Sequence, residues 1–213
     1  MSLVLDCGCG SGERSIALAK DGFLVLGTDT SEPTLRAARV AASGLPRPPE
    51  FICRSVADLP DGRRLFGRPF DAVLLFDDAL SAIGHPVQLQ RHIADASEQT
   101  RRGGLYVLQQ VNYDAIPVDG AVEFPELSLP DGSIVRKRHR RIDNETASVE
   151  IDRIGADGSS AIAAHPLRIW PPSVLTDLLS RSGWRVVRSA ERLDGGVFDA
   201  SRSRECAIIA ERL

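Results

Sequence analysis

Lysine is nearly absent from this 213-residue chain: of its 26 basic residues only Lys20 and Lys137 are lysines. A Schiff-base mechanism therefore has two candidates, and neither stands in a glycine-rich or acidic setting that would activate it. Cysteine is scarce too. Cys7 and Cys9 are too close along an extended chain to bridge easily, and Cys53 and Cys206 give no second pair at zinc-ligand spacing. Both a disulfide framework and a zinc site are disfavoured, and no metal is expected. No apolar run approaches the roughly 20 residues of a membrane helix. The opening residues also lack the charged and apolar regions of a secretory leader, so a cytoplasmic protein without membrane attachment is expected. The formal charge of −3 argues against bulk binding of nucleic-acid backbones.

A chain of this length buries roughly 70% of its unfolded surface as one domain without staples. A single domain over residues 1–213 is the expectation, with homo-oligomer formation left open. Residues 2–6 read as a buried strand, 12–21 as a helix, 23–28 as a strand and 32–43 as a helix. "PEFICRSV" gives a third strand, and "FDAVLLF", residues 70–76, is apolar almost throughout, as in strands buried on both faces of a parallel sheet. A helix over about 86–101 and the strand "LYVLQQV" complete the alternation. The fold class is therefore α/β, a doubly wound, mostly parallel Rossmann-like sheet of about seven strands. Residues 121–168 change character: alternating segments separated by Pro-Asp-Gly, Asp-Asn and Ala-Asp-Gly turns predict an inserted antiparallel β-meander, expected to cap the substrate. A helix at "PPSVLTDLLSRSGW" and two strands, expected as an antiparallel edge, end the chain.

The stretch "LVLDCGCGSG" sets Asp6, Gly8, Gly10 and Gly12 between the first strand and first helix. Glycines there let the backbone turn sharply and approach a ligand. The dinucleotide fingerprint G-x-G-x-x-G is missed by one residue, Glu13 standing where its third glycine belongs, and no Gly-Lys-Ser/Thr follows for a triphosphate. The stretch resembles the first motif of class I S-adenosylmethionine-dependent methyltransferases, an acid followed by G-x-G-x-G after the first strand.

That resemblance implies a cradle for S-adenosylmethionine formed by Asp6, Gly8, Cys9, Gly10 and Gly12, with Cys9 as a small spacer. Asp29, about 20 residues on, is placed to accept both ribose hydroxyls, beside Thr30; its bland alternative is a helix cap, which Thr30 or Ser31 could equally supply. Ser55 stands where relatives usually carry an adenine-binding acid, Asp58 comes three residues later, and Val56 offers a backbone N–H and an apolar wall. "FDAVLLFDDALSAIG" resembles the fourth motif, with Phe76 and Asp77 toward the donor. "RRGGLYVLQQVNYD" resembles glycine N-methyltransferase-like enzymes and places Asn112 and Tyr113 at the substrate. Asp78 and His165 are the candidate bases. The implied activity is methyl transfer to nitrogen or oxygen of a small molecule. The alternatives are a catalytically inert donor-binding or scaffold protein with an incomplete N-terminus, and an NAD(P)-dependent oxidoreductase.

Other features have plainer readings. "RKRHRR", residues 136–141, reads as a solvated hairpin face whose charges Asp143, Glu145, Glu150 and Asp152 neutralise across strands; if one face closes over the pocket, its arginines would favour a carboxylate-bearing substrate. His85, His92 and His139 read as surface residues, Trp170 and Trp184 as core. "MSLVLD" begins almost inside the first strand, so an upstream segment or a misassigned start is expected.

Overall fold

The computed structural model describes residues 1–213. The first half alternates as its apolar periodicity dictates: β1 (Leu3–Cys7), α1 (Glu13–Lys20), β2 (Leu24–Asp29), α2 (Glu32–Ala42), β3 (Glu50–Cys53), a short α3 (Gly62–Phe66), β4 (Phe70–Phe76), α4 (Pro86–Gln99) and β5 (Thr100–Val111). β1 is buried along its whole length, because helices cover both faces of a central parallel strand. Helix α3 was not legible in the sequence. It is five residues long and held by Asp61, whose side chain accepts from the N–H groups of Arg63 and Arg64.

The insert follows as β6 (Ala121–Glu123), β7 (Leu127–Ser128), β8 (Ile134–Arg141), β9 (Thr146–Ile154) and β10 (Ser160–Arg168), and the chain closes with α5 (Pro172–Arg181), β11 (Trp184–Ala190) and β12 (Glu205–Arg212). The main sheet has the order β11-β12-β5-β4-β1-β2-β3. Strands β3 to β5 run parallel, while β12 is antiparallel to both β5 and β11. The final two strands thus do form an antiparallel edge pair, with the apolar β12 inside and β11 outermost. The insert is a separate five-stranded antiparallel sheet.

Register separates the insert's two faces. Lys137, His139 and Arg141 pair with Ile151, Val149 and Ala147, and this face shares a small core with Val111, Tyr113 and Ile116 at the end of β5. Arg136, Arg138 and Arg140 point the other way, where Glu150 holds Arg138 and Arg140 and Glu126 holds Arg136. Of the four acids expected to neutralise the arginine run only Glu150 does so, Glu126 supplying the other partner, and the pocket-facing side carries Lys137 and His139.

His92 is a correction: it is fully buried. On α4, its Nδ1 lies 2.8 Å from the Val56 carbonyl and its Nε2 3.0 Å from the Tyr106 hydroxyl, so a polar ring sits in the core with both nitrogens satisfied. Trp170 and Trp184 are buried as expected, each donating its indole N–H to a backbone carbonyl, of Ile83 and Ile93 respectively.

Candidate active site

The carboxyl ends of β1, β2 and β4 meet at one rim of the sheet. Gly8, Gly10 and Gly12 adopt left-handed φ of 69°, 55° and 79°, a sequence of turns that side chains disfavour. A Cβ at Gly8 would stand 2.8 Å from that of Ala79, and one at Gly12 2.8 Å from the Phe51 ring, whereas Gly10 faces open space. The loop is therefore packed at Gly8 and Gly12 and bare at Gly10.

Beneath it, Asp6 is fully buried. Ser15 Oγ donates to one carboxylate oxygen at 2.6 Å and Arg14 Nε to the other at 3.1 Å, and the Arg14 guanidinium stacks 4.0 Å from the Phe76 ring centroid. Asp6 accordingly builds the floor of the loop and does not line the cleft above. Cys9 packs against α2 and Phe51, and burial pushes its thiol up to about 12, with Asp6 and Asp29 adding to the effect.

Asp29 ends β2. Its Oδ2 accepts from Gly10 N–H at 3.1 Å and its Oδ1 from Ser31 N–H at 2.9 Å. Ser31 itself caps α2, its hydroxyl accepting from Thr34 N–H, so the capping role does not fall to Asp29. A cleft of about 490 Å³ opens here, lined by Gly8, Asp29, Thr30, Ser55, Val56, Phe76, Asp77 and Asp78 among others. Val56 is buried, Ser55 turns its hydroxyl to Ala57 N–H, and Asp58 faces solvent beside Arg54 at 3.6 Å. Asp77 is exposed and holds φ 54°, an uncommon conformation for a non-glycine residue that concentrates at functional sites.

A second, small cavity adjoins the cleft and shares Phe76, Asp77 and Asp78 with it; Gln109, Gln110, Val111, Phe124, Lys137 and Glu205 complete its wall. Asp78 joins the two spaces. Lys137 Nζ reaches it at 3.0 Å and His139 Nε2 lies 3.5 Å away, while His139 Nδ1 is 2.7 Å from the Tyr113 hydroxyl. Burial pushes His139 below the usual imidazole range, against the opposing pull of Asp78, and burial followed by Asp78 raises Tyr113 well above the phenol range. Both are neutral near pH 7.

Two expected site residues are placed elsewhere. Asn112 is fully buried and donates both amide hydrogens to the carbonyls of Ala200 and Ser203, each at 2.9 Å. It pins the segment before β12 and leaves no group for a substrate. His165 is exposed on the outer strand β10, opposite Val149 and two strands from His139, and lines neither space. The imidazole beside Asp78 is His139, which the sequence reading had placed on the surface. Alternation along "RKRHRR" held the signal, since one face of that strand had to carry Lys137 and His139 together. Phe124 and Glu205 carried no such signal. A wider groove of about 410 Å³ lies beyond Phe124 and Lys137, but the ion pairs of the arginine face fill its wall and it lacks the glycine loop.

Comparison with known proteins agrees with this geometry. Residues 4–104 match the methyltransferase domain family. Glycine N-methyltransferase of Mus musculus is 29% identical over 121 residues, covering 53% of this chain and 41% of that protein; the chain spans under half the length of the curated relatives it matches. The CcbJ methyltransferase of Streptomyces caelestis shares the fold with a TM-score of 0.82 at 22% identity, over 99% of this chain and 83% of its own. CalS10 of Micromonospora echinaspora, an amino pentose methyltransferase with S-adenosylmethionine bound, superposes with a TM-score of 0.74 at 18% identity, over 100% and 84%. Residues 4–104 thus resemble a methyltransferase domain, and the chain as a whole shares the fold of solved methyltransferases, one of them with S-adenosylmethionine bound.

Proposed function

We propose that the chain transfers a methyl group from S-adenosylmethionine to a small-molecule amine by in-line displacement, with the donor in the 490 Å³ cleft and the acceptor approaching from the Asp78 side. The residues fit the donor on physical grounds. Asp29 offers a carboxylate to a vicinal diol, Val56 an apolar wall to a flat base, and Gly10 an open backbone face. The sulfonium, when bound, supplies an already activated methyl group. What remains for the protein is to hold donor and nucleophile in line at near-attack distance and to exclude water.

Asp78 supports the choice of nitrogen. Its carboxylate faces the seam between the two spaces, where it attracts an ammonium and accepts the proton whose loss frees the amine lone pair. That a structural neighbour acts on an amino pentose fits the same reading.

Asp29 carries the reading, since an acid ending β2 beside the glycine loop serves a ribose and has been relieved of helix capping. Asp29→Ala is expected to weaken S-adenosylhomocysteine binding at least about 100-fold in titration calorimetry, through loss of two charge-assisted hydrogen bonds. Unchanged affinity would reject the assignment.

A further inference from the structure

We propose that Lys137 is a self-methylation site: its amine occupies the acceptor seat beside Asp78 and takes a methyl group when no acceptor competes for it. The inference rests on the donor reading above. With ribose fixed at Asp29, the donor's reactive end falls toward β4, where the cleft and the small cavity share Phe76, Asp77 and Asp78. Lys137 Nζ lies in that cavity, 3.0 Å from Asp78 Oδ2 and 5.6 Å from the Phe124 ring centroid. A carboxylate and an aromatic face together are what an ammonium ligand requires, and here the chain's own side chain fills the place.

The other polar groups of the cavity are poor nucleophiles or are engaged. Gln109 and Gln110 carry amides, and Glu205 accepts from Gln109 Nε2 at 3.0 Å. Beside the cavity, His139 Nδ1 is engaged with the Tyr113 hydroxyl at 2.7 Å while its Nε2 faces Asp78 at 3.5 Å. Lys137 is thus the one amine in place. In the step proposed, its ammonium first passes a proton to Asp78. The freed lone pair then forms the N–C bond as the sulfonium S–C bond breaks, and the electron pair stays on sulfur as a neutral thioether. The methylated amine keeps its charge near neutral pH, so the pairing with Asp78 survives while a hydrogen-bond donor is lost. Any true acceptor must displace Lys137 and would protect it.

The chain supplies its own control, because its other lysine, Lys20, is exposed at the end of α1. Purified protein is incubated with S-adenosylmethionine, donor binding is confirmed by calorimetry, and lysine-containing peptides are examined by mass spectrometry. The Lys137 peptide should gain the mass of one or more CH2 units at a rate independent of protein concentration, while Lys20 stays unmodified. Lys137→Arg should abolish the mark, and Asp78→Asn should slow it about 100-fold, the size of a lost proton acceptor. If the donor binds and Lys137 stays unmarked, or the mark falls equally on Lys20, or its rate rises with protein concentration, the proposal is overturned while the donor reading stands. Absence of donor binding would overturn both.

Discussion

A single buried ring links folding to pH. His92 is held at about 4 by burial, the Val56 carbonyl only partly opposing the effect, whereas an unfolded histidine titrates near 6.5. The unfolded chain therefore binds the proton first, and stability declines as pH falls from about 6.5 to about 4, by up to about 3 kcal/mol once the loss is complete. Urea titrations across this range should show the decline, and His92→Gln should remove its share of the slope; a wild-type stability flat from pH 7 to 4 would contradict the assignment. The carbonyl that His92 holds belongs to Val56, a wall of the 490 Å³ cleft. No sequence pattern distinguished this histidine from the exposed His85, because its partners lie 36 and 14 residues away.

At the scale of elements, the glycine loop separates packing from ligand approach. Gly8 and Gly10 share a left-handed φ, but only Gly8 has a neighbour at 2.8 Å. Gly8→Ala should cost about 2–4 kcal/mol, combining backbone strain with overpacking. Gly10→Ala should cost only about 1 kcal/mol yet weaken S-adenosylhomocysteine binding at least about tenfold, because its methyl enters the space left for the ligand. Denaturant midpoints and calorimetry on both variants separate the two effects; a Gly10→Ala protein that binds normally would mean the ligand lies elsewhere. The loop, β4 and the insert's hairpins were legible, since each is marked by glycine spacing, an apolar run or turn residues. Helix α3 was too short to show a period.

For the molecule as a whole, donor binding and folding are coupled by mass action. S-adenosylhomocysteine at about 100 times its Kd should stabilise the native state by about 2.7 kcal/mol, raising Tm by about 5–10 °C for a domain of this size. Asp29→Ala should abolish that shift at the same ligand concentration, and a persisting shift would show that binding bypasses the β2 acid. The architecture explains why the cleft and the small cavity beside it differ in character. One is built from the ends of the parallel sheet, the other where the antiparallel insert, laid against β5 through Val111, Tyr113 and Ile116, brings Phe124 and Lys137 over the same rim.

Local order along the chain determined the doubly wound core, the glycine loop, Asp29 and the presence of an antiparallel insert, because these depend on periodicity and on spacing within a few tens of residues. Tertiary structure alone decided the surroundings of Asp78. Asn112 was drawn away to the carbonyls of Ala200 and Ser203, His165 was left on an outer strand, and Lys137, His139, Phe124 and Glu205 were brought around Asp78 from distant segments. The reason is physical: strand pairing and hydrophobic burial fix which sheet face meets which edge, and neither is set by neighbours in sequence.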